Sequence, residues 1–287
     1  SDDDSLSDGY EINTSGTDPN APDSDNDGMS DGNELIHGMS PVTSNSYSRL
    51  PFVENFETNT VSLGCLHNQN GWAASPANCA IIQTGTVFAG QQAMSMHCGS
   101  NAACSVSQLF AAPATNMVWL DLRTKAVATS APTGSVDEAA AFFVNSAGRL
   151  VVYDGNSNDW ITLTNHPAIT LETWIRLTAQ LDYQNQEWLL CLDGKAVASE
   201  LGFASEQTEF SCFRAQGGRG SFDNLNFSTS RPDGISADND GMSDNWEMQY
   251  FQDLDETDSG DPDNDGLSNI EEYQHGTNPD NSDTDGD

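Results

Sequence analysis

Between residues 50 and 230, apolar and polar positions alternate in short runs separated by Gly, Asn, Asp and Ser. Met117–Arg123 sets Val118, Leu120 and Leu122 against Trp119, Asp121 and Arg123. This period of two marks a strand with one face in a core. Ala140–Val144, a turn over 145–148 and Arg149–Tyr153 predict a hairpin. Trp174–Asp182, a turn over 183–186 and Glu187–Leu192 predict a second, and the tight turn Asp193-Gly194 leads into Lys195–Ser199. Short strands with turns every eight to twelve residues or so predict an antiparallel sandwich or barrel. A segment of about 180 residues is large enough to bury a core of its own.

The two ends have a different pattern. Asp23-Ser24-Asp25-Asn26-Asp27-Gly28-Met29-Ser30-Asp31-Gly32-Asn33-Glu34 places carboxylates at positions 1, 3, 5, 9 and 12 of a twelve-residue stretch, with glycine at position 6. Calcium takes about six to eight oxygen ligands, and a short loop can wrap it only if alternate side chains point inward. The chain must turn sharply at position 6, where glycine is best tolerated. The expected ligands are Asp23, Asp25, Asp27, the carbonyl of Met29, Asp31 and Glu34. The same spacing gives Asp261, Asp263, Asp265, the carbonyl of Leu267, Asn269 and Glu272, and a third set of Asp238, Asp240, the carbonyl of Met242, Asp244 and Glu247. In the third set Ser236 stands at position 1, so that site either is weaker or borrows Asp233. Asp2, Asp4, Asp8 and Glu11 form the back of a further loop in which Ser5 replaces the glycine, and Asp283, Asp285 and Asp287 form the start of another. The bland reading of all this acid is a solvated, disordered linker. That reading does not explain why glycine recurs in register with a closing glutamate.

After each loop a short helix is expected to begin at the closing glutamate. It is stopped by glycine and turned by Asp-Pro or Asn-Pro, as in Gly16-Thr17-Asp18-Pro19 and Gly276-Thr277-Asn278-Pro279. Ile12, Leu35, Ile36, Tyr250, Phe251, Ile270 and Tyr273 are the sizeable apolar groups noted in these arms, and they are expected to pack one repeat on the next. The core they form is thin, so metal is expected to supply much of the stability.

Charge follows the same division. Of 44 acidic residues, 11 lie in residues 1–49 and 18 in residues 231–287, out of a formal net charge of −35. The middle is an ordinary polar domain between acidic arms. Nucleic acid is excluded as a partner, since phosphate contacts need Lys and Arg. The partners expected instead are calcium ions. All six cysteines lie in the middle, none with zinc-ligand spacing. An even number beside loops of the extracellular type suggests disulfides, paired as Cys65–Cys79, Cys98–Cys104 and Cys191–Cys212. The alternative is buried thiols. No apolar run approaches the roughly 20 residues that span a bilayer. The start at Ser1 without a signal peptide reads as a mature product or a piece of something longer.

The Asp-x-Asp-x-Asp-Gly-x-x-Asp units with their Gly-Thr-Asp-Pro linker resemble thrombospondin type 3 repeats of bacterial surface and secreted proteins. The resemblance covers residues 1–39 and about 233–287, and it implies calcium-laden, stiff connectors outside the cell. Trp174-Ile175-Arg176-Leu177, Asp193-Gly194-Lys195 and Gly220-Ser221-Phe222-Asp223-Asn224-Leu225 resemble the laminin-G and concanavalin-like jelly roll. This likeness implies that Phe52–Phe56 pairs with Phe222–Phe227, so that the sandwich is inserted into a continuous repeat array and loops 23–34 and 236–247 sit side by side. The expected fold is therefore mainly β: an antiparallel jelly-roll sandwich over 50–230, flanked by calcium-loop and short-helix repeats over 1–49 and 231–287.

Catalytic patterns are missing. Glu54 and Glu57 are three apart, on opposite faces of a strand, and no carboxylate pair is set to flank a glycosidic bond. His67, His97 and His166 have no nucleophile at a recognisable elbow. Residues 153–160, a polar loop between Tyr153 and Trp160, read either as a sugar-binding loop or as a hairpin turn with Trp160 in the core. Trp72, Trp119, Trp174 and Trp188 are expected to pack in the core or against its faces. The sequence thus points to a calcium-binding structural or adhesive module, not an enzyme, whose truncated end loops fit either an excerpt of a longer array or copies joined head to tail. Surface glycans are the partner in the alternative reading, a lectin-like domain on calcium-stiffened spacers.

Overall fold

The computed structural model describes residues 2, 4–97, 104–113, 115–131, 136, 138–217, 219–235, 242, 244–251 and 256–284. Two antiparallel layers enclose one core. The strands are β1 (Phe52–Glu54), β2 (Gly64–Cys65), β3 (Trp72–Ser75), β4 (Ala80–Gln83), β5 (Ala93–His97), β6 (Ser105–Leu109), β7 (Met117–Lys125), β8 (Phe142–Val144), β9 (Leu150–Asp154), β10 (Asp159–Thr162), β11 (Trp174–Asp182), β12 (Glu187–Leu192), β13 (Lys195–Gly202), β14 (Cys212–Gln216) and β15 (Arg219–Ser228). Among the described residues one layer is a sheet in the order β13-β12-β11-β7-β15-β5-β4-β2, with β1 also on β15. The facing layer is made of β10-β9-β8 and β14-β6-β3. This is the jelly-roll sandwich, closed by the expected pairing of the first strand with the last: Phe52 opposes Phe227 and Glu54 opposes Leu225. The second predicted hairpin forms with the expected bounds, Asp182 opposing Glu187.

Alternation along each strand puts one side chain in two into the core. Val118 and Leu122 from β7, Leu225 and Phe227 from β15, Val106 from β6 and Leu150 and Val152 from β9 are all buried there. Phe227 is fully enclosed, its ring 5.1–6.1 Å from those of Phe52, Phe110, Phe210 and Phe213. Trp72 and Trp188 join this core and Trp174 packs on Phe88. The polar face of β7 is covered as well. Trp119 lies buried with Cys191 and Ile235, and the Arg231 guanidinium stacks 5.1 Å above its ring. Arg176 makes a bidentate pair with Asp121, at 2.7 and 3.0 Å, and also donates to the carbonyl of Asp233. The C-terminal arm therefore leaves across the outer face of the large sheet.

Three expectations are corrected. Cys65, Cys79, Cys191 and Cys212 are free thiols. Cys191 faces the outer cluster on β12 while Cys212 lies on β14 in the other layer, and the Cys65 thiol donates to the Ala77 carbonyl at 2.9 Å. Cys104, of the third expected pair, is disulfide-bonded, and Cys98 lies outside the described residues. Trp160 is not in the core: it stands half-buried on β10 between Phe143 and Tyr153. Ile12 and Ile36 do not pack repeat on repeat, being 66% and 68% exposed.

Candidate metal centre

The acidic arms fold as the spacing requires. In the first loop Asn26 and Gly28 take positive φ, 59° and 102°. In the last loop Asn264 and Gly266 do the same, at 60° and 99°. Each loop ties its carboxylates to its own backbone in the same way. Gly28 N–H donates to Asp23 and Met29 N–H to Asp27, just as Gly266 N–H donates to Asp261 and Leu267 N–H to Asp265. These bonds hold the aspartates inward. In the half-loop, Ser5 keeps the turn with φ of 74° despite its side chain, and Leu6 N–H donates to Asp4 at 2.8 Å.

Among the described residues three groups of carboxylates converge, each offering ligand atoms within 4.8 Å of one another: Asp2, Asp4 and Glu11; Asp23, Asp25 and Asp27; Asp261, Asp263 and Asp265. Closing glutamates lie beside them. Glu34 and Glu272 are fully buried, and the negative charges of Asp263, Asp265 and Asp261 add to burial in raising the Glu272 pKa. Oxygens of Asp2, Asp4, Glu11, Asp25, Glu34, Asp261, Asp263, Asn269 and Glu272 are buried yet accept no hydrogen bond. Buried polar atoms normally have partners, because leaving one bare costs about 1–3 kcal/mol, and more for a charge. A hard cation with oxygen ligands satisfies this donor set. Burial pushes the Glu34 carboxyl up to about 7, with neighbouring Asp27, Asp25 and Asp31 adding to the shift. Burial likewise raises Asp4, Glu11, Asp25, Asp31 and Glu272. Each of these groups resists carrying its charge until a cation arrives.

Not every expected ligand joins a cluster. Asp31 is buried but spends its oxygens on the Ser24 N–H and hydroxyl, at 2.9 and 2.7 Å. Asp8 is exposed, in α1 (Asp8–Tyr10), outside the group formed by Asp2, Asp4 and Glu11. Met29 buries its side chain completely. Asn269 points a bare Oδ1 inward while its Nδ2 donates to the Thr257 carbonyl. Of the third loop, Met242 and Glu247 are buried, whereas Asp238 and Asp240, like Asp285 and Asp287 of the last half-loop, lie outside the described residues. Asp244 opens α3 (Asp244–Tyr250). Asp283 sits where a next loop would begin: Asn278 N–H donates to Thr284 as Asp18 N–H donates to Ser24.

The helices begin earlier than expected, at position 9 of the loop. These are α2 (Asp31–Ile36) and α4 (Asn269–His275), while a π-helical turn covers Glu11–Ser15. Left-handed Gly16 and Gly276 end their helices as predicted. The following threonines, Thr17 and Thr277, reach back to Glu11 and Glu272 at 3.5 and 3.4 Å. Trp246, which the sequence reading passed over, gathers Tyr250, Phe251 and Tyr273 around itself.

The first loop is docked on the sandwich. Gly28 O accepts from Ala112 N–H at 2.5 Å, Asn45 N–H donates to Asp27 at 2.7 Å, and Arg49 reaches the Asp27 carbonyl. His37 contacts Ser211 at 3.2 Å, and burial lowers its pKa to about 4, so it is neutral at pH 7. Sequence reasoning missed Tyr47 and Glu209. Tyr47 donates to Glu34 at 3.0 Å, and Glu209 accepts from Ser30 and Asn33.

The description of the bacterial TSP3 repeat matches residues 1–22, 23–38, 238–250 and 261–281. The arms carry these repeats, and the segment between them is the jelly-roll sandwich. No curated protein matches the chain. Among solved structures, a sialidase is similar at 10% identity and a TM-score of 0.42, over 56% of this chain and 17% of its own. This chain therefore spans about a sixth of that protein. The CBM22-1 xylan-binding domain of Paenibacillus barcinonensis Xyn10C is similar at 14% identity and a TM-score of 0.33, over 63% of this chain and 95% of its own. A Shewanella oneidensis protein of unknown function is similar at 14% identity and a TM-score of 0.38, over 71% and 97%.

Proposed function

We propose that this chain is a calcium-binding structural module of an extracellular or cell-surface protein, with no catalytic role. Its domains are repeats over 1–49, the sandwich over 50–230 and repeats over 231–287, and its ligands are the loop residues named from the sequence except Asp8 and Asp31, which stand outside the clusters. One observation carries the reading: three separate clusters of inward carboxylates contain buried oxygens that no donor satisfies. Calcium, which tolerates irregular shells of carboxylates and carbonyls, suits such clusters better than magnesium, which demands near-octahedral geometry. Dissociation constants of about 10⁻⁴–10⁻³ M are expected for extracellular sites. Bound ions stiffen the arms and fix how the sandwich is presented. Head-to-tail joining of copies through shared loops is the adhesive extension of this role.

The test is calorimetric titration with calcium alongside circular dichroism and solution scattering, with and without EDTA. Heat of binding, added helix signal and a longer, stiffer particle in calcium are expected. A flat titration and unchanged scattering sink the proposal.

In a second reading the sandwich binds carbohydrate and the arms are spacers in a larger secreted protein. One observation favours it: Phe143 and Tyr153 flank Trp160 at 5.2 Å on an outer face, beside the polar turn 155–158. Aromatic rings stack on sugar faces. Glycan-array binding that survives EDTA and is lost in Trp160→Ala supports this reading; an array that stays blank counts against it.

A further inference from the structure

The last repeat holds its own helix start and closing glutamate with two devices, the second of which it shares with the half-loop. In the last repeat, Glu271 takes the N–H and hydroxyl of the N-cap Ser268 at 2.9 and 2.7 Å, a complete capping box. In the half-loop and the last repeat, the threonine after glycine donates to the closing glutamate.

The first loop lacks both devices. Asn33 stands where Glu271 stands in the last repeat, and Met39 follows Gly38 where threonine would be. Both contacts are nevertheless made, by residues outside the loop. The N–H and hydroxyl of Ser30 donate to Glu209 Oε1 at 3.2 and 2.8 Å, and Asn33 Nδ2 joins them at 2.8 Å. The Tyr47 hydroxyl donates to Glu34 Oε1 at 3.0 Å, on the oxygen opposite the bare Oε2.

We infer that Glu209 and Tyr47 are positioning residues of the 23–34 metal site: the sandwich supplies the capping carboxylate and the lead-in to β1 supplies the hydroxyl, both of which the last repeat carries itself. Glu209 fixes the start of α2, and with it the direction from which Glu34 enters the shell. Tyr47 orients Glu34 so that Oε2 faces the aspartates. Groups that orient a ligand without touching the metal typically set its affinity by about 10–100-fold. By reciprocity, an ion at this site stabilises the sandwich edge. The inference rests on the calcium reading given above.

The experiment is a calcium titration of the full chain followed by two-dimensional ¹⁵N NMR. The amides of Gly28 and Gly266, each bonded to the first aspartate of its loop, report the two sites separately. Glu209→Ala and Tyr47→Phe are each expected to raise the midpoint at Gly28 by about tenfold or more and to leave Gly266 unmoved. Glu271→Ala, which removes the acceptor from Ser268, is expected to shift only Gly266. Glu209→Gln keeps an acceptor oxygen and should recover most of the loss, whereas Glu209→Met, which keeps the bulk without the acceptor, should not, as it would if Glu209 only packed. Midpoints at Gly28 that match the wild type in both Glu209→Ala and Tyr47→Phe overturn the inference. If Glu209→Ala fails to fold, Tyr47→Phe, which removes one hydroxyl, decides alone. A wild-type Gly28 amide that does not respond to calcium sinks the calcium reading itself, a separate outcome.

Discussion

Gly32→Ala tests whether the half-loop at residues 2–11 is part of the folded array. Gly32 lies inside α2. In an open helix alanine is preferred to glycine by about 1 kcal/mol, so the substitution should stabilise if nothing packs there. In this structure the added methyl overlaps the carbonyl oxygen of Asp4, with the Asp4 carbonyl carbon at 3.2 Å and Leu6 Cγ at 3.7 Å. Backbone cannot rotate aside as a side-chain tip can. Either the helix strains, at about 1–3 kcal/mol for overpacking, or residues 2–6 move off. Moving off separates Asp2 and Asp4 from Glu11 and forfeits the ion. At calcium ten times above the dissociation constant, that ion contributes RT ln 11, about 1.4 kcal/mol. Set against the helix-propensity gain of about 1 kcal/mol, the variant should lose up to about 2 kcal/mol in calcium by strain, or about 0.4 kcal/mol by losing the ion. Melting should drop accordingly, at about 2–4 °C per kcal/mol for a domain this size. In EDTA the ion contribution vanishes and the deficit should shrink or reverse. Scanning calorimetry reads the first and isothermal titration the second, as one ion fewer per chain. A higher melting temperature with unchanged stoichiometry would refute the packing of Asp4 on α2.

Two further outcomes follow from the loops. Alanine at Gly28 or at Gly266 pays the same backbone cost, since both have φ near 100°. Only Gly28→Ala also presses its Cβ to 2.9 Å from Ala111 and 3.0 Å from Arg49, while Gly266 has open space. Gly28→Ala should therefore melt lower than Gly266→Ala in calcium by about 1–3 kcal/mol; equal losses would mean the first loop is not docked on the sandwich. The pH dependence has a definite sign. In the ion-free fold burial lets Glu34 hold its proton up to about 7, while the unfolded chain releases it near the ordinary glutamate value of 4.5. Stability without calcium should fall as pH rises through that window, and be insensitive to Glu34 below it. Calcium must displace the proton, so its affinity should rise with pH and level off above about 7. Melts in EDTA and in calcium from pH 4.5 to 8 check both slopes; a Glu34→Gln protein that keeps the wild-type slopes would remove Glu34 from the account.

What was legible in the sequence had short range. A calcium loop assembles most of its shell within twelve residues, so ligand geometry itself imposes the spacing of Asp23, Asp25, Asp27 and Glu34, and Gly28 marks a turn that favours glycine. Hairpins leave the same kind of record, which is why the bounds of β11 and β12 could be read directly. Tertiary structure decided the rest. Ser30 finds its capping carboxylate 179 residues away, and the only trace in the sequence is a missing one, Asn33 at the place of Glu271. Asp31 looked like a ligand by position, but the fold turned it to Ser24. Cysteine count suggested disulfides, yet pairing depends on how two layers face each other, and Cys191 and Cys212 fell in different ones. Contacts between distant segments leave no period along the chain, so only the assembled sandwich could show that its edge completes the first loop.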